Sequence, residues 1–441
     1  MCTFEFLKNI SLRTSVIKTI SSPTHFKTQL LNWASQFREI IFLDSNEYPQ
    51  DYSSYDCILA VDAFTSIKTD FHNAFDDLNQ YQQSTKDWLF GYLSYDLKNT
   101  HHDLVSNNND ELFFADMYFF QPKKIFLLKG NTLEIEYLMM CDDELTHDFE
   151  AITETLIVEE LPSKKIQIEQ RISKEKYLEN VTKMLDYINK GDIYEANFCM
   201  EYFSRNVQIN PLETYQKLTE ISKTPFATFF KNNNHFLMSA SPERFLRKQG
   251  NKIISQPIKG TAKRFFDAKE DENAKLNLAL NAKERSENIM IVDLVRNDLS
   301  QTANKGTVVV EELCKIYKFK QVHQMISTIT SKVSDTISPI EILKTTFPMG
   351  SMTGAPKLSA MKIIEELEDT KRGLYSGALG YFLPDGDFDF NVVIRSILYN
   401  NDNKYLSFSV GSAITSLSIP ENEYEECQLK AKAMLNVLEN K

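Results

Sequence analysis

The pentapeptide PIKGT, residues 257–261, sets an amine between a rigid proline and a flexible glycine. Proline fixes φ and glycine permits close backbone approach, so Lys259 is held at a defined point that a ligand can reach. A free lysine has a pKa near 10.4, so only ~1 in 2500 is neutral at pH 7. Burial, with Lys263 and Arg264 close behind, is expected to lower that value and expose a nucleophile. Taken alone, the same lysine also fits an ordinary surface turn. Glu243, in SPERF (241–245), follows a strand-like run and is a candidate acid, though by itself it reads as a turn residue.

Two segments pair carboxylates at helical spacing. Glu284 and Glu287 lie three apart in NAKERSENIMIVDLVRNDL, on a face that continues through Met290, Ile291 and Leu294. Glu423 and Glu426 repeat the pattern near the C-terminus, ahead of Lys430, Met434 and Val437. Ser418 and Glu421, with Pro420, suggest a capping box at the start of that helix. Four carboxylates without a His or Cys cluster suit a hard cation such as Mg²⁺. Either pair alone also fits a solvated helix face in an acidic chain. Arg395, among β-branched neighbours in NVVIRSI, needs an anionic partner, either a protein carboxylate or a ligand. In FPMGSMTGAPKLSAM, Gly350 and Gly354 flank Thr353 ahead of a helix start whose free N–H groups suit an anion. The spacing is not that of a P-loop. His323 is a lone imidazole and reads as structural.

The elements that must carry these residues follow from periodicity. Helices are expected over 26–37, 174–190, 271–298, 338–346, 355–369 and 421–439. Strands are expected over 39–43, 57–61, 89–95, 112–120, 124–128, 227–230, 234–239, 253–256, 377–383, 388–398 and 405–410. Short turns between adjacent strands favour antiparallel pairing, and the segregated helices favour an α+β fold. Residues 159–173 read as a connector between a region 1–160 and a region 174–441.

The chain has 441 residues, a net charge of −12 and a pI near 5.3. An acidic surface argues against nucleic acid and anionic membrane as partners. Six scattered cysteines without a CxxC pair suit free thiols in a reducing cytoplasm. Neither a signal peptide nor a membrane span is expected from the sequence. Glycine is scarce: 13 residues, 11 of them between 191 and 411, against about 31 at average usage. Those that remain are expected to mark tight backbone or ligand approach.

Eight segments in order, SPERF, PIKGT, ERSENIMIVDLVRNDL, VHQMISTIT, FPMGSMTGAPKLSAMKIIEELE, GALGYF, VIRSI and EYEECQLKAKAML, resemble the motifs of the chorismate-utilising enzymes. The likeness covers about 174–437. IFLDSNEYP and FGYLSYDLKN resemble the family's N-terminal half more weakly. The resemblance implies a mainly antiparallel β-sandwich core with helices packed outside. It also implies a chorismate-binding catalytic region at 174–441 behind an N-terminal α+β region of the anthranilate synthase component I type. Anthranilate synthases typically read PIAGT, whereas the branch that forms 4-amino-4-deoxychorismate carries a nucleophilic lysine there. Isochorismate and salicylate synthases place a water-activating lysine where this chain has Glu195. The residues therefore resemble the aminodeoxychorismate-forming branch, which serves 4-aminobenzoate and folate synthesis.

Further implications come only with that resemblance. Mg²⁺ would be held by Glu287 and Glu426, with Glu284 and Glu423 acting through water. Gly260 and Thr261 would contact chorismate beside Lys259. Tyr381 and Arg395 would hold its second carboxylate, with the backbone of Gly411, Ser412 and Ala413, and Lys430 would add positive charge. Lys259 would attack ring C2 while Glu243 expels the C4 hydroxyl. No glutaminase segment is visible, so ammonia would come from a separate glutamine amidotransferase subunit. Gln324 replaces the family's usual histidine, and VGSAIT replaces the commoner GAGIV. Ser45 in FLDS, with Pro225 and Phe226 in TPFATF, resembles a tryptophan pocket. The alternatives are the anthranilate-forming branch and a non-catalytic chorismate-binding subunit.

Overall fold

The computed structural model describes residues 12–48, 52, 54–101, 104–156, 165–319 and 322–439. Among these residues twenty strands join through antiparallel ladders into one branched sheet. The branch point is the long strand Met117–Lys129. Along one side it pairs with Cys57–Thr69, and on the other side Leu89–Leu93 and Thr132–Leu138 divide its length.

One branch runs from Cys57–Thr69 through Glu39–Asp44, Phe226–Asn232, His235–Ser241, Ser396–Asn400 and Tyr405–Thr415 to Glu195–Ser204. The other runs from Leu89–Leu93 through Ala378–Phe382, Phe388–Val392, Arg244–Gln249 and Lys252–Gln256 to Val322–Lys332. Strands Ile258–Lys263 and Val309–Lys318 both pair with that last one.

Period-2 alternation sorts side chains to two cores. Ile41, Ile58, Phe230 and Leu237 enter one core between the branches, together with Leu93, Leu246 and Phe390. Their neighbours Ile40, Leu59, Phe229 and Met238 enter the other, beneath helices Pro23–Ala34, Lys174–Lys190, Lys357–Leu367 and Pro420–Glu439. The antiparallel α+β expectation therefore holds, with helices outside a layered sheet core. Strands from residues below 160 pair directly with strands above 174, and both cores draw on both regions.

Local signals place several elements well. Ser173 caps Lys174–Lys190, and Gly191 ends it at φ 87°. Others differ. The helix expected over 271–298 is two helices, Ala268–Leu280 and Ala282–Ser300, broken at Asn281, whose side chain caps the second. The strand expected over 388–398 is interrupted between Val392 and Ser396, where Arg395 adopts φ 53°. The strands expected over 112–120 and 124–128 are one, Met117–Lys129, because Pro122 is accommodated at a register shift in the ladder with Cys57–Thr69. Ser418 does not cap the last helix: its hydroxyl accepts from the Thr415 N–H instead. Residues 159–164 of the expected connector, and residues 1–11 with Cys2, lie outside the described residues. The other five cysteines are buried free thiols. Among the described residues no helix is long and apolar enough to cross a membrane.

Candidate active site

Lys259 sits in a register shift between Ile258 and Thr261, where the strand Ile258–Lys263 loses its ladder with Val322–Lys332. Gly260 permits this with φ 90°, a conformation costly for any side chain. A Cβ there would also stand 3.1 Å from a Glu284 carboxylate oxygen. The shift releases the Lys259 side chain into a nest of acids, with Nζ 3.4 Å from Glu195 Oε1 and only 12 % of the side chain exposed. The expected downward pKa shift is overturned. Burial does work to lower it, but Glu195, Glu287, Glu243 and Glu426 together outweigh burial and raise it. Arg264, expected to repel the amine, is spent on Asp271 and the Phe319 carbonyl, and Lys263 is exposed. Thr261 is exposed and lies opposite Gln324 in the ladder.

Glu243 occupies the tight connection between His235–Ser241 and Arg244–Gln249, held by its N–H to Ser241 Oγ at 3.3 Å and its carbonyl to the Val392 N–H at 3.0 Å. It is buried, and burial pushes its pKa up to about 7 against the pull of Ser351, Lys259 and Lys430. At neutral pH about half of such a group is protonated and able to give a proton.

The two Glu pairs converge from separate helices. On Ala282–Ser300 the buried stripe is Glu287, Ile291, Val295 and Leu299, while Met290 and Leu294 are half-buried. Burial pushes Glu287 up to about 7, and its buried Oε1 has no hydrogen-bond donor. Burial also raises Glu284. On Pro420–Glu439, Glu423 accepts from Lys283 Nζ at 2.9 Å and Ser412 Oγ at 2.6 Å. Burial opposes ionisation of Glu426, yet Lys430 at 2.7 Å, Lys283 and Lys259 hold it below the usual range. Among the described residues no three such ligands are gathered into a closed metal cluster.

Lys430 Nζ also donates to the Gly411 carbonyl at 2.7 Å. Gly411 is required by close approach: a Cβ would meet Asn197 Oδ1 and Cys199 Sγ at 2.6 Å. Ser412 and Ala413 are buried beside it. Arg395 donates to the Lys430 carbonyl at 3.4 Å, and among the described residues no carboxylate forms an ion pair with it. Burial lowers its pKa, and the charges that counter this belong to Tyr375 and Glu426. Tyr381, expected to hold a substrate carboxylate together with Arg395, is not brought to it. Tyr381 packs against Trp88 and Phe90 at 5.7 and 5.6 Å and lines a different cavity. The phenol whose charge acts on Arg395 is that of Tyr375, whose hydroxyl is 3.9 Å from Cys199 Sγ. That second cavity, of about 60 Å³, is where Ser45, Pro225 and Phe226 meet Tyr381, Arg244 and Asn391.

The profile of a chorismate binding enzyme matches residues 38–436. The chain belongs to the chorismate-binding enzyme family. It is 42% identical over 269 residues to aminodeoxychorismate synthase, chloroplastic, of Arabidopsis thaliana, covering 60% of this chain and 29% of that protein. Against aminodeoxychorismate synthase component 1 of Bacillus subtilis it is 30% identical over 388 residues, 85% of this chain and 80% of the relative. Anthranilate synthase component 1 of Thermus thermophilus is 32% identical over 361 residues, 80% of this chain and 77% of the relative. The chain thus spans under two fifths of the length of three relatives named aminodeoxychorismate synthase, two from plants and one from Streptomyces griseus. The fold is that of anthranilate synthase component I from Streptococcus pneumoniae, with TM-score 0.78 at 23% identity, covering 88% of this chain and 93% of that one.

In this chorismate-binding enzyme, periodicity missed the strand Glu195–Ser204, which carries Glu195 and Asn197. All ten of its residues are buried, yet Glu195, Asn197 and Glu201 alternate with Ala196, Phe198, Met200 and Tyr202, and that alternation is the signal that could have found it. Tyr375 was missed because its neighbours Leu374 to Gly377 form an irregular turn after Gly373. His323, buried with Nε2 3.0 Å from Asp271, keeps the structural role expected of it.

Proposed function

We propose that this chain is an aminodeoxychorismate synthase component I, converting chorismate and ammonia to 4-amino-4-deoxychorismate. The observation that carries this reading is the buried amine of Lys259 within a nest of acids, one of them Glu243 with its pKa raised to about 7. A nucleophile and a proton donor of that kind fit a two-step displacement. Lys259 bonds to ring C2 as the C4 hydroxyl leaves with the Glu243 proton; ammonia then bonds to C4 and releases Lys259. The relatives named aminodeoxychorismate synthase support the choice of product. "Component 1" in the Bacillus name supports a partner, a glutamine amidotransferase that supplies ammonia.

The substrate is a dicarboxylate. Arg395, with no ion-paired carboxylate among the described residues, suits one substrate carboxylate, with Tyr375 and the backbone of Gly411–Ala413 in the same region. Glu287 and Glu426, backed by Glu284 and Glu423, suit Mg²⁺. The unsatisfied Glu287 Oε1 and the all-oxygen donor set fit that ion, which commonly keeps several waters and substrate oxygens as ligands. Bound there, Mg²⁺ would supply the charge that holds the ring carboxylate. Ser45, Pro225 and Phe226 line a cavity with aromatic and hydrogen-bonding walls that suits tryptophan, which a calorimetric titration would detect.

The test is mass spectrometry of products after incubation with chorismate, Mg²⁺ and ammonium. 4-Amino-4-deoxychorismate is expected. Anthranilate as sole product would identify the alternative branch, and unchanged chorismate would leave a non-catalytic binding subunit.

A further inference from the structure

The nucleophile assigned above begins as an ammonium, held so by surrounding acids. It cannot attack until one of them takes its proton. Glu243 must itself arrive protonated, and Glu287 and Glu426, with Glu284 and Glu423 behind them, belong to the proposed cation site. Lys430 and Lys283 bring further positive charge, so they accept nothing. One acid remains, and it is the nearest.

Glu195 is 1 % exposed, with Oε1 3.4 Å from Lys259 Nζ. Its other oxygen, Oε2, is buried with no donor. Native structures rarely leave such an oxygen unsatisfied, because stranding one costs about 1–3 kcal/mol. Its backbone is clamped on both sides, opposite Thr415 in one ladder and opposite Ala355 in the other. A Cβ at Gly354 would come within 2.1 Å of the Glu195 carbonyl, so this clamp is as tight as backbone allows. The Tyr194 N–H fixes the approach by donating to the Ala355 carbonyl at 2.7 Å.

We infer that Glu195 is the base for Lys259, its carboxylate taking the ammonium proton before attack and returning it after release. The inference rests on the proposed function. The steps balance. One proton passes from the Lys259 ammonium to Glu195. The freed lone pair bonds to C2, both ring double bonds shift by one position, and the C4–O bond breaks. The Glu243 proton completes a water molecule. Ammonia bonds to C4, the C2–N pair returns to Lys259, and Glu243 recovers a proton from the new ammonium. Glu195 then gives its proton back to the amine.

The experiment uses rapid quenching and intact mass spectrometry of the full chain with chorismate and Mg²⁺, without ammonium, to time the Lys259 adduct. Glu195→Gln keeps a hydrogen-bond acceptor beside the amine but cannot take a proton. Adduct formation at pH 7 is expected to slow by about 100-fold or more, with chorismate affinity within a few-fold of wild type. An unchanged adduct rate in this variant would overturn the inference alone, since an orienting role survives the amide. Absence of any adduct in the wild-type chain would overturn the proposed function and the inference together. Should the variant not fold, the wild-type adduct rate read against pH decides. A plateau above neutrality is expected for an internal base; a continued tenfold rise per pH unit means that solvent takes the proton and rejects Glu195.

Discussion

Two residues carry the sharpest expectations. Replacing Lys259 by Ala removes the amine and leaves a small void. Formation of 4-amino-4-deoxychorismate should drop on the order of 10³-fold or more, and any residual product should shift toward anthranilate, as read by chromatography of the turnover mixture. Glu243 makes a prediction about pH. Its folded pKa, about 7, is raised above the usual 4.5 by burial. A raised carboxyl contributes stability that is full below about pH 4.5 and is lost as pH rises through about 7. The difference of about 2.5 units corresponds to about 3 kcal/mol. Glu243→Gln should therefore gain stability relative to wild type between pH 4 and pH 8, by up to that amount. Denaturant midpoints at the two pH values measure it, and a constant gap between the proteins would refute the burial argument.

At the scale of elements, the site depends on where helices start and strands fail. The break at Asn281 decides how Glu284 and Glu287 are presented, because Asn281 caps the second helix through the Glu284 N–H. Asn281→Ala should cost about 1 kcal/mol, seen as a lowered melting temperature, and should weaken Mg²⁺ activation with it. On the last helix, Glu426→Ala should remove Mg²⁺ dependence along with activity, checked by titrating the metal into a turnover assay. Lys430 would then lose its carboxylate partner and keep the Gly411 carbonyl. The irregular stretch between Val392 and Ser396 has the same character as the Lys259 bulge: both put a cationic side chain outside the regular alternation of a strand.

Over the whole molecule, the two regions read from the sequence share one sheet. Phe226–Asn232 pairs with Glu39–Asp44, and Ala378–Phe382 pairs with Leu89–Leu93. A fragment comprising 174–441 would expose both edges, together with core side chains such as Leu237 and Phe390. It should be insoluble or lack a cooperative melt by circular dichroism, and co-expression with 1–160 should restore folding. A fragment that melts like the full chain would contradict this.

What the sequence offered by itself is the candidate groups: an amine, paired acids, and the glycines that let backbone come close. Those are local signals, since PIKGT encodes its own bulge and each Glu pair its own helical face. It also fixed the α+β class, because short turns between strands leave little but antiparallel pairing. Tertiary structure decided which groups meet. Nothing local says that Glu195, 64 positions earlier in the chain, lies against Lys259, nor that the charge of Tyr375 acts on Arg395 while Tyr381 lines another cavity. It also set the sign of the Lys259 shift. The amine's neighbours in sequence are cations, whereas its neighbours in space are carboxylates, and charge acts through space.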